Sequence, residues 1–247
     1  MAARRTTIIR YLENLKHVPR VDNFVEVDNR IASLNPTEQL AKLGVATNFM
    51  RLRQGTCDRI LNDAIHLLKN KEYTTNVKPL HSPQKRLDIE LPPHGYSWKV
   101  LQRILNTWKK DKTSPWHRFH QGVEPRLVEF SILGSLPGSK NQYWHKDHYG
   151  GYGSIISFGI PLIDVQDEHG PTDCIPKHLS EKYKRNPFKL RARRGELYAW
   201  DGHVTHRGTK NNSKIARPIL MFSLCFSKKI PTGKTQLSLH PKLLQRL

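Results

Sequence analysis

The sequence predicts a mainly β fold with helices at its N-terminal end: an antiparallel sandwich or barrel with the helices packed outside it. Three observations predict this. From Pro125 onward, short runs of β-branched, aromatic and other apolar residues are separated by Gly, Pro and Asn, the texture of strands joined by tight turns. Before Pro125, apolar residues recur at helical spacing rather than alternating. With 247 residues the chain is also long enough to bury a core without disulfide or metal staples.

Residues 1 to about 34 show no clear period. Asn35-Pro36-Thr37-Glu38 then reads as a helix start, because Asn35 can cap, Pro36 suits the first turn and Glu38 is the acid of a capping box. Gly44 is its stop. A longer helix is expected after Thr56, with Ile60, Leu61, Ala64, Ile65, Leu67 and Leu68 at helical spacing. A third is expected from Ser97, with Trp98, Leu101, Ile104, Leu105 and Trp108 on one stripe. Leu127 to Leu136 reads as a strand ending at Pro137-Gly138, and Gly150 to Gly153 as a glycine-rich turn. Ser154 to Ile163, Gly195 to Trp200 and Arg217 to Phe226 are further strands. The expectation is one domain over 1–247, with a largely helical region at 1–120, a β core at 125–230 and a C-terminal tail at 231–247.

Lys and Arg number 41 against 21 Asp and Glu, a net charge of +20. Such a balance reads either as plain solubility or as an anionic partner or substrate. No run approaches the roughly 18 apolar residues of a membrane span. The N-terminus has Arg4, Arg5 and Arg10 but no apolar stretch behind them, which argues against a secretory signal. No acid precedes Glu13, so a mitochondrial transit peptide is the alternative to a cytoplasmic location. Cys57, Cys174 and Cys225 are odd in number and form no C-x-x-C pair. That speaks against a disulfide framework or a cysteine zinc site and fits a reducing compartment.

Of thirteen histidines, His145 stands out, because His145-Lys146-Asp147 is followed by a distal His206. Two imidazoles and a carboxylate on one face of a metal describe the facial triad of non-haem iron oxygenases. A strand, or its end, points residues i and i+2 to one side, so H-x-D is a workable spacing. Alone it is a weak signal in a histidine-rich chain. His203 competes with His206 for the distal role; His148, His169, His178 and His203 are expected not to be ligands.

The surrounding residues add context. They include Leu136-Pro137-Gly138-Ser139, Gln142-Tyr143-Trp144-His145-Lys146-Asp147, Gly170-Pro171 through Ile175-Pro176-Lys177-His178, and Gly195-Glu196-Leu197-Tyr198-Ala199-Trp200. Arg217 follows His206 by eleven residues. In this order and spacing, roughly Pro125 to Phe226 resembles the phytanoyl-CoA dioxygenase family of Fe(II)/2-oxoglutarate oxygenases. The resemblance implies a double-stranded β-helix, a cupin-like jelly roll whose inner faces bring separate strands to one mouth. It implies Fe(II) on His145, Asp147 and His206, 2-oxoglutarate as co-substrate and O2 as oxidant. It also implies Arg217 and Gln142 at the co-substrate, where a guanidinium fork offers two parallel donors to a carboxylate. Retention of the carboxylate ligand Asp147 implies hydroxylation or a related oxidation rather than halogenation. Pro176-Lys177 stands where the family has Gly-Ser, Gly208 where some members have Ser, and Ile219 where relatives often have Ser.

Tyr143 and Trp144 are expected at the substrate mouth. The run from Lys182 to Arg194 carries seven cations with Tyr183 and Phe188 interleaved; it is either a solvated loop or a docking surface that brings Arg191, Arg193 and Arg194 to the mouth. The expected substrate is a small or anionic molecule. A nucleic-acid-directed demethylase and a non-catalytic basic binding module are the alternatives.

Overall fold

The computed structural model describes residues 2–15, 18, 34–70, 77–79, 85–120, 122–177, 186–233, 239 and 243. Helices α1 (Ala2–Asn14), α2 (Pro36–Leu43), α3 (Gln54–Lys69), α4 (Gly95–Lys110) and the single turn α5 (Pro115–Arg118) all fall in the first half. The caps of α2 are those its sequence predicts. The Asn35 side chain accepts the Glu38 N–H at 3.0 Å, and Gly44, at φ 71°, donates its N–H to the Leu40 carbonyl.

Seven strands form an antiparallel sheet in the order β1-β8-β5-β10-β4-β3-β2. They are β1 (Val45–Ala46), β2 (Val77–Pro79), β3 (Arg86–Glu90), β4 (Arg126–Ser135), β5 (Ile155–Pro161), β8 (Tyr198–Asp201) and β10 (Arg217–Cys225). A smaller sheet, β7-β6-β9, consists of β6 (Thr172–Cys174), β7 (Phe188–Leu190) and β9 (His206–Gly208). The two sheets form the double-stranded β-helix that the sequence resemblance implies.

Alternation along each strand divides the interior in two. Leu87, Ile89, Phe130, Ile132, Phe158, Leu220 and Phe222 point toward α3 and α4 and share one core with Ile60, Leu61, Leu101 and Trp108. The Trp108 ring lies 4.8 Å from Phe158, which stacks on Phe222 at 4.9 Å. The opposite face contributes Tyr198, Trp200, Ile219 and Met221, which pack with Phe188 and Leu190 of the smaller sheet. The site is built on this second face.

The strands and helices read from the sequence lie within a few residues of those observed, with two differences. The first 120 residues are not only helical: β3 pairs along β4 with Arg86 opposite Ser135, and β1 pairs with β8. Residues 1 to about 34 contain α1, which buries Ile8 and Leu12 one turn apart, followed by Leu15, in the helical core. Among the described residues, no helix is long and apolar enough to cross a membrane.

Because Trp108 joins the helices to the outer face of the sheet, Trp108→Ala should destabilise the fold by about 3–5 kcal/mol. Urea unfolding would show this as a lower midpoint at unchanged slope. A loss below about 1 kcal/mol would contradict the packing described.

Candidate active site

The site is gathered by backbone pairing. After β4 the chain turns at Pro137-Gly138 and runs back beside β9. Gly138 donates to the Asn211 carbonyl at 2.8 Å, and Gln142 to Gly208 at 2.9 Å. His145 and His206 exchange both of their backbone hydrogen bonds, at 3.0 and 2.9 Å. Asp147 then donates to the Gly202 carbonyl at 2.8 Å. His145, Asp147 and His206 are thereby brought together, each with a ligand atom within 4.8 Å of the others.

The orientation of each group is fixed from behind. His145 Nδ1 donates to the Tyr143 carbonyl and His206 Nδ1 to the Val204 carbonyl, both at 2.9 Å. A carbonyl can only accept, so each Nδ1 carries the proton and each Nε2 is left to face the cluster. The Nε2 atoms lie 3.8 and 3.4 Å from Asp147 Oδ1. The Trp200 indole N–H holds the other carboxylate oxygen at 3.1 Å. Burial alone would raise the Asp147 pKa. His206, His145 and the indole outweigh it and keep the carboxyl well below the usual carboxylate range. Burial disfavours protonation of His206, but Asp147 and the Val204 carbonyl shift it upward. Two imidazole nitrogens and one carboxylate oxygen, converging and held from outside, fit a divalent first-row metal. The cluster is open on one side: the His145 and Asp147 side chains are 28% and 19% exposed, against 5% for His206.

A cavity of about 130 Å³ leads from the cluster to a pair of arginines. Arg217 opens β10 and Arg86 opens β3, and both pair with Ser135 of β4, so they flank it on one face. Both are buried, at 4% and 5% exposure. Arg217 donates to the Gly170 carbonyl, and Arg86 to the carbonyls of Thr209 at 2.7 Å and Lys140 at 3.1 Å. Among the described residues neither guanidinium meets a carboxylate, and the Nε of each is buried without a partner. Burial, aided by the charge of Arg217, lowers the Arg86 pKa to about 9; burial lowers Arg217 too. Two buried cations satisfied only by carbonyls make a site for an anion. The Tyr198 hydroxyl, hydrogen-bonded to Thr172, lines the same end.

Gln142 also lines the cavity, its Oε1 accepting the Gly208 N–H at 2.7 Å. Gly208 has a steric reason: a Cβ there would stand 2.7 Å from both Arg86 Nη1 and Gln142 Oε1. The absence of a side chain at Gly208 therefore makes room for Arg86. Arg86 is the residue that sequence reasoning missed. Its signal was the alternating run Arg86-Leu87-Asp88-Ile89-Glu90. Glu129, also on the cavity wall, accepts from Ser223. Burial, with Asp88 and Asp147 adding, pushes its carboxyl up to about 8 against the Ser223 hydrogen bond.

Tyr143 and Trp144 do not line the cavity: Tyr143 stands in solvent and Trp144 lies beneath Arg207. Arg191, Arg193 and Arg194 do not line the cavity either. Arg191 pairs with Asp167 at 2.8 Å. Arg193 stands in a tight turn where its N–H meets Glu196. Arg194 is buried against Asp58 of α3. Arg191 and Arg194 thus serve as local counter-ions. Lys182, Tyr183, Lys184, Arg185 and His178 lie outside the described residues. His203 Nε2 faces Lys146 Nζ at 3.2 Å, and His148 is buried beside Asp201, so neither joins the cluster.

The profile described as Phytanoyl-CoA dioxygenase (PhyH) matches residues 45–219, more than two thirds of the chain. No curated protein matches the sequence. The fold is similar to that of the non-heme alpha ketoglutarate dependent carbocyclase SnoK from nogalamycin biosynthesis: TM-score 0.61, 13% identity, covering 87% of this chain and 92% of that one. It is similar to the epimerase SnoN in complex with Fe3+, alpha ketoglutarate and nogalamycin RO: TM-score 0.60, 14% identity, covering 83% and 89%. It is also similar to HygX from Streptomyces hygroscopicus with nickel and 2-oxoglutarate bound: TM-score 0.52, 12% identity, covering 79% and 88%.

The protonated state of Glu129 has a consequence for stability. A carboxyl near 8 when folded and about 4.3 when unfolded makes the folded chain bind the extra proton between those values, so stability falls as pH rises through that window. Asp201, which burial raises to about 6, adds the same sign over the lower part. Glu129→Gln should therefore flatten the decline in unfolding free energy between about pH 6 and 8, measured by urea titration at several pH values. An unchanged slope would contradict the assignment.

Proposed function

The chain belongs to the phytanoyl-CoA dioxygenase family, and from that membership we propose that it is an Fe(II)- and 2-oxoglutarate-dependent dioxygenase that hydroxylates a C–H bond of an anionic substrate. The observation that carries the reading is that one cavity is lined both by a His–Asp–His cluster and by two buried guanidinium groups that meet no carboxylate among the described residues.

Iron held by His145, Asp147 and His206 would supply the oxidising chemistry with 2-oxoglutarate and O2, giving succinate, carbon dioxide and one oxygen atom for the substrate. The protein's own residues do the rest. With each Nδ1 proton held by a carbonyl, His145 and His206 turn Nε2 toward the position a metal would take. Asp147 presents Oδ1 because Trp200 occupies Oδ2. Arg217 and Arg86 receive the far carboxylate of 2-oxoglutarate, and their charges give the co-substrate one orientation. Leu133, Ile219 and Met221 keep the intervening wall apolar. The open His145 side is where the substrate's reacting carbon is presented. The excess of cations favours an anionic substrate. The three cysteines are free and buried, which suits a reducing compartment such as the cytoplasm.

The division of labour is testable. Arg217→Ala and Arg86→Met should each raise the 2-oxoglutarate half-saturation for succinate release by about tenfold or more, the loss expected of a charged hydrogen bond. Mn(II) affinity, read by calorimetry, should stay within about twofold of wild type. His206→Ala should lose the metal. Equal loss of metal and co-substrate binding in the arginine variants would contradict the assignment.

A further inference from the structure

We propose that the rim of the candidate site, formed by residues 140–153 and the facing segment 203–214, is a docking surface for single-stranded nucleic acid.

The first argument is room, and this step rests on the functional reading above. A cavity of about 130 Å³ is well under the roughly 300–1,000 Å³ of pockets that engulf a drug-sized ligand. With the co-substrate inside, the reacting partner stays outside and meets the cluster at the exposed flank of His145.

The second argument is composition. Among the described residues, the exposed large apolar side chains are Tyr143 at 87%, Tyr149 at 78% and Tyr152 at 41%. Scattered singly on a surface, such residues need no explanation. Here all three fall within the ten-residue stretch that also carries His145 and Asp147.

The third is charge. From Lys140 to Gly153 the one acid is the ligand Asp147, and from His203 to Lys214 there is none. Lys140, Lys210 and Lys214 are exposed. The Lys210 N–H meets Asn141 Oδ1 at 2.8 Å, which brings the backbone at Lys210 alongside the segment that carries Lys140 and Tyr143. Lys177 Nζ lies 4.4 Å over the Tyr152 ring. Arg207, paired with Asp173, lies 4.4 Å over Trp144. Its net charge is thus spent locally, and the lysines remain for phosphates.

Solvent-facing aromatic rings interleaved with lysines that meet no carboxylate among the described residues match a strand that offers both unstacked bases and phosphates. A duplex hides its base faces, and a sulfated polysaccharide has none, so neither would use the tyrosines.

The test is fluorescence anisotropy of the full chain, loaded with Mn(II) and 2-oxoglutarate, against short labelled single strands of RNA and DNA, with duplex DNA and heparin as competitors. Tyr143→Ala combined with Tyr149→Ala should weaken binding by about tenfold or more, the loss expected of base–aromatic stacking. Lys140→Gln combined with Lys210→Gln should reduce the slope of log affinity against log salt by roughly 1.4, the value for two phosphate contacts on a single strand. Tyrosine variants that bind like wild type, competition by heparin or duplex as strong as by a single strand, or no binding at physiological salt would each overturn the proposal. In the wild-type chain, the rise in Tm with Mn(II) and 2-oxoglutarate reports the co-substrate site separately. Its absence would refute the functional reading, while anisotropy decides the docking surface either way.

Discussion

The exchange of backbone hydrogen bonds between His145 and His206 is the constraint on which the rest of the site depends. It joins a loop after β4 to the short strand β9, and through β9 to the smaller sheet. Because side chains alternate, this one register decides that both imidazoles and Asp147 converge rather than diverge. The same pairing, carried on through Gln142 and Gly208 to Gly138 and Asn211, brings Thr209 and Lys140 to where their carbonyls receive Arg86. A slip of one residue would turn the ligands outward and remove the acceptors of the guanidinium together.

The interior this register encloses is polarised. One end holds two guanidinium groups without a carboxylate among the described residues, and the other a deeply acidic Asp147 under two imidazoles. Burying uncompensated charge works against folding. The offset is ligand binding: an anion between Arg86 and Arg217 and a cation on the cluster each stabilise the folded chain by mass action. Glu129 avoids the problem in a different way, by remaining protonated near neutral pH. The rim follows a third rule, since its lysines and tyrosines are hydrated and cost the fold little.

Much of the fold could be read from the sequence. Helix α2 carried its caps in the sequence, and α3 and α4 carried unbroken apolar stripes. Strands β4, β5 and β10 are long enough for composition and flanking turns to mark them. Strands β6, β7 and β9 have three residues each, too few for a period to show. The triad was legible through spacing and family resemblance. Arg86 was not, because it reaches the pocket only through a pairing of β3 with β4 that spans nearly fifty residues of chain. The basic run ending at Arg194 misled for the opposite reason. Its density of cations was visible, but the acids that meet Lys189, Arg191 and Arg194, namely Asp167 and Asp58, lie on other elements.

The central claim is that His145, Asp147 and His206 hold one metal onto which 2-oxoglutarate closes from the Arg217 side. Anaerobic titration of the chain with Fe(II) and 2-oxoglutarate tests it most directly. The account predicts a weak visible charge-transfer band that needs both additions, saturates at one metal per chain and disappears in His145→Ala. A band that persists in His145→Ala, or a wild-type chain that shows none, would contradict it.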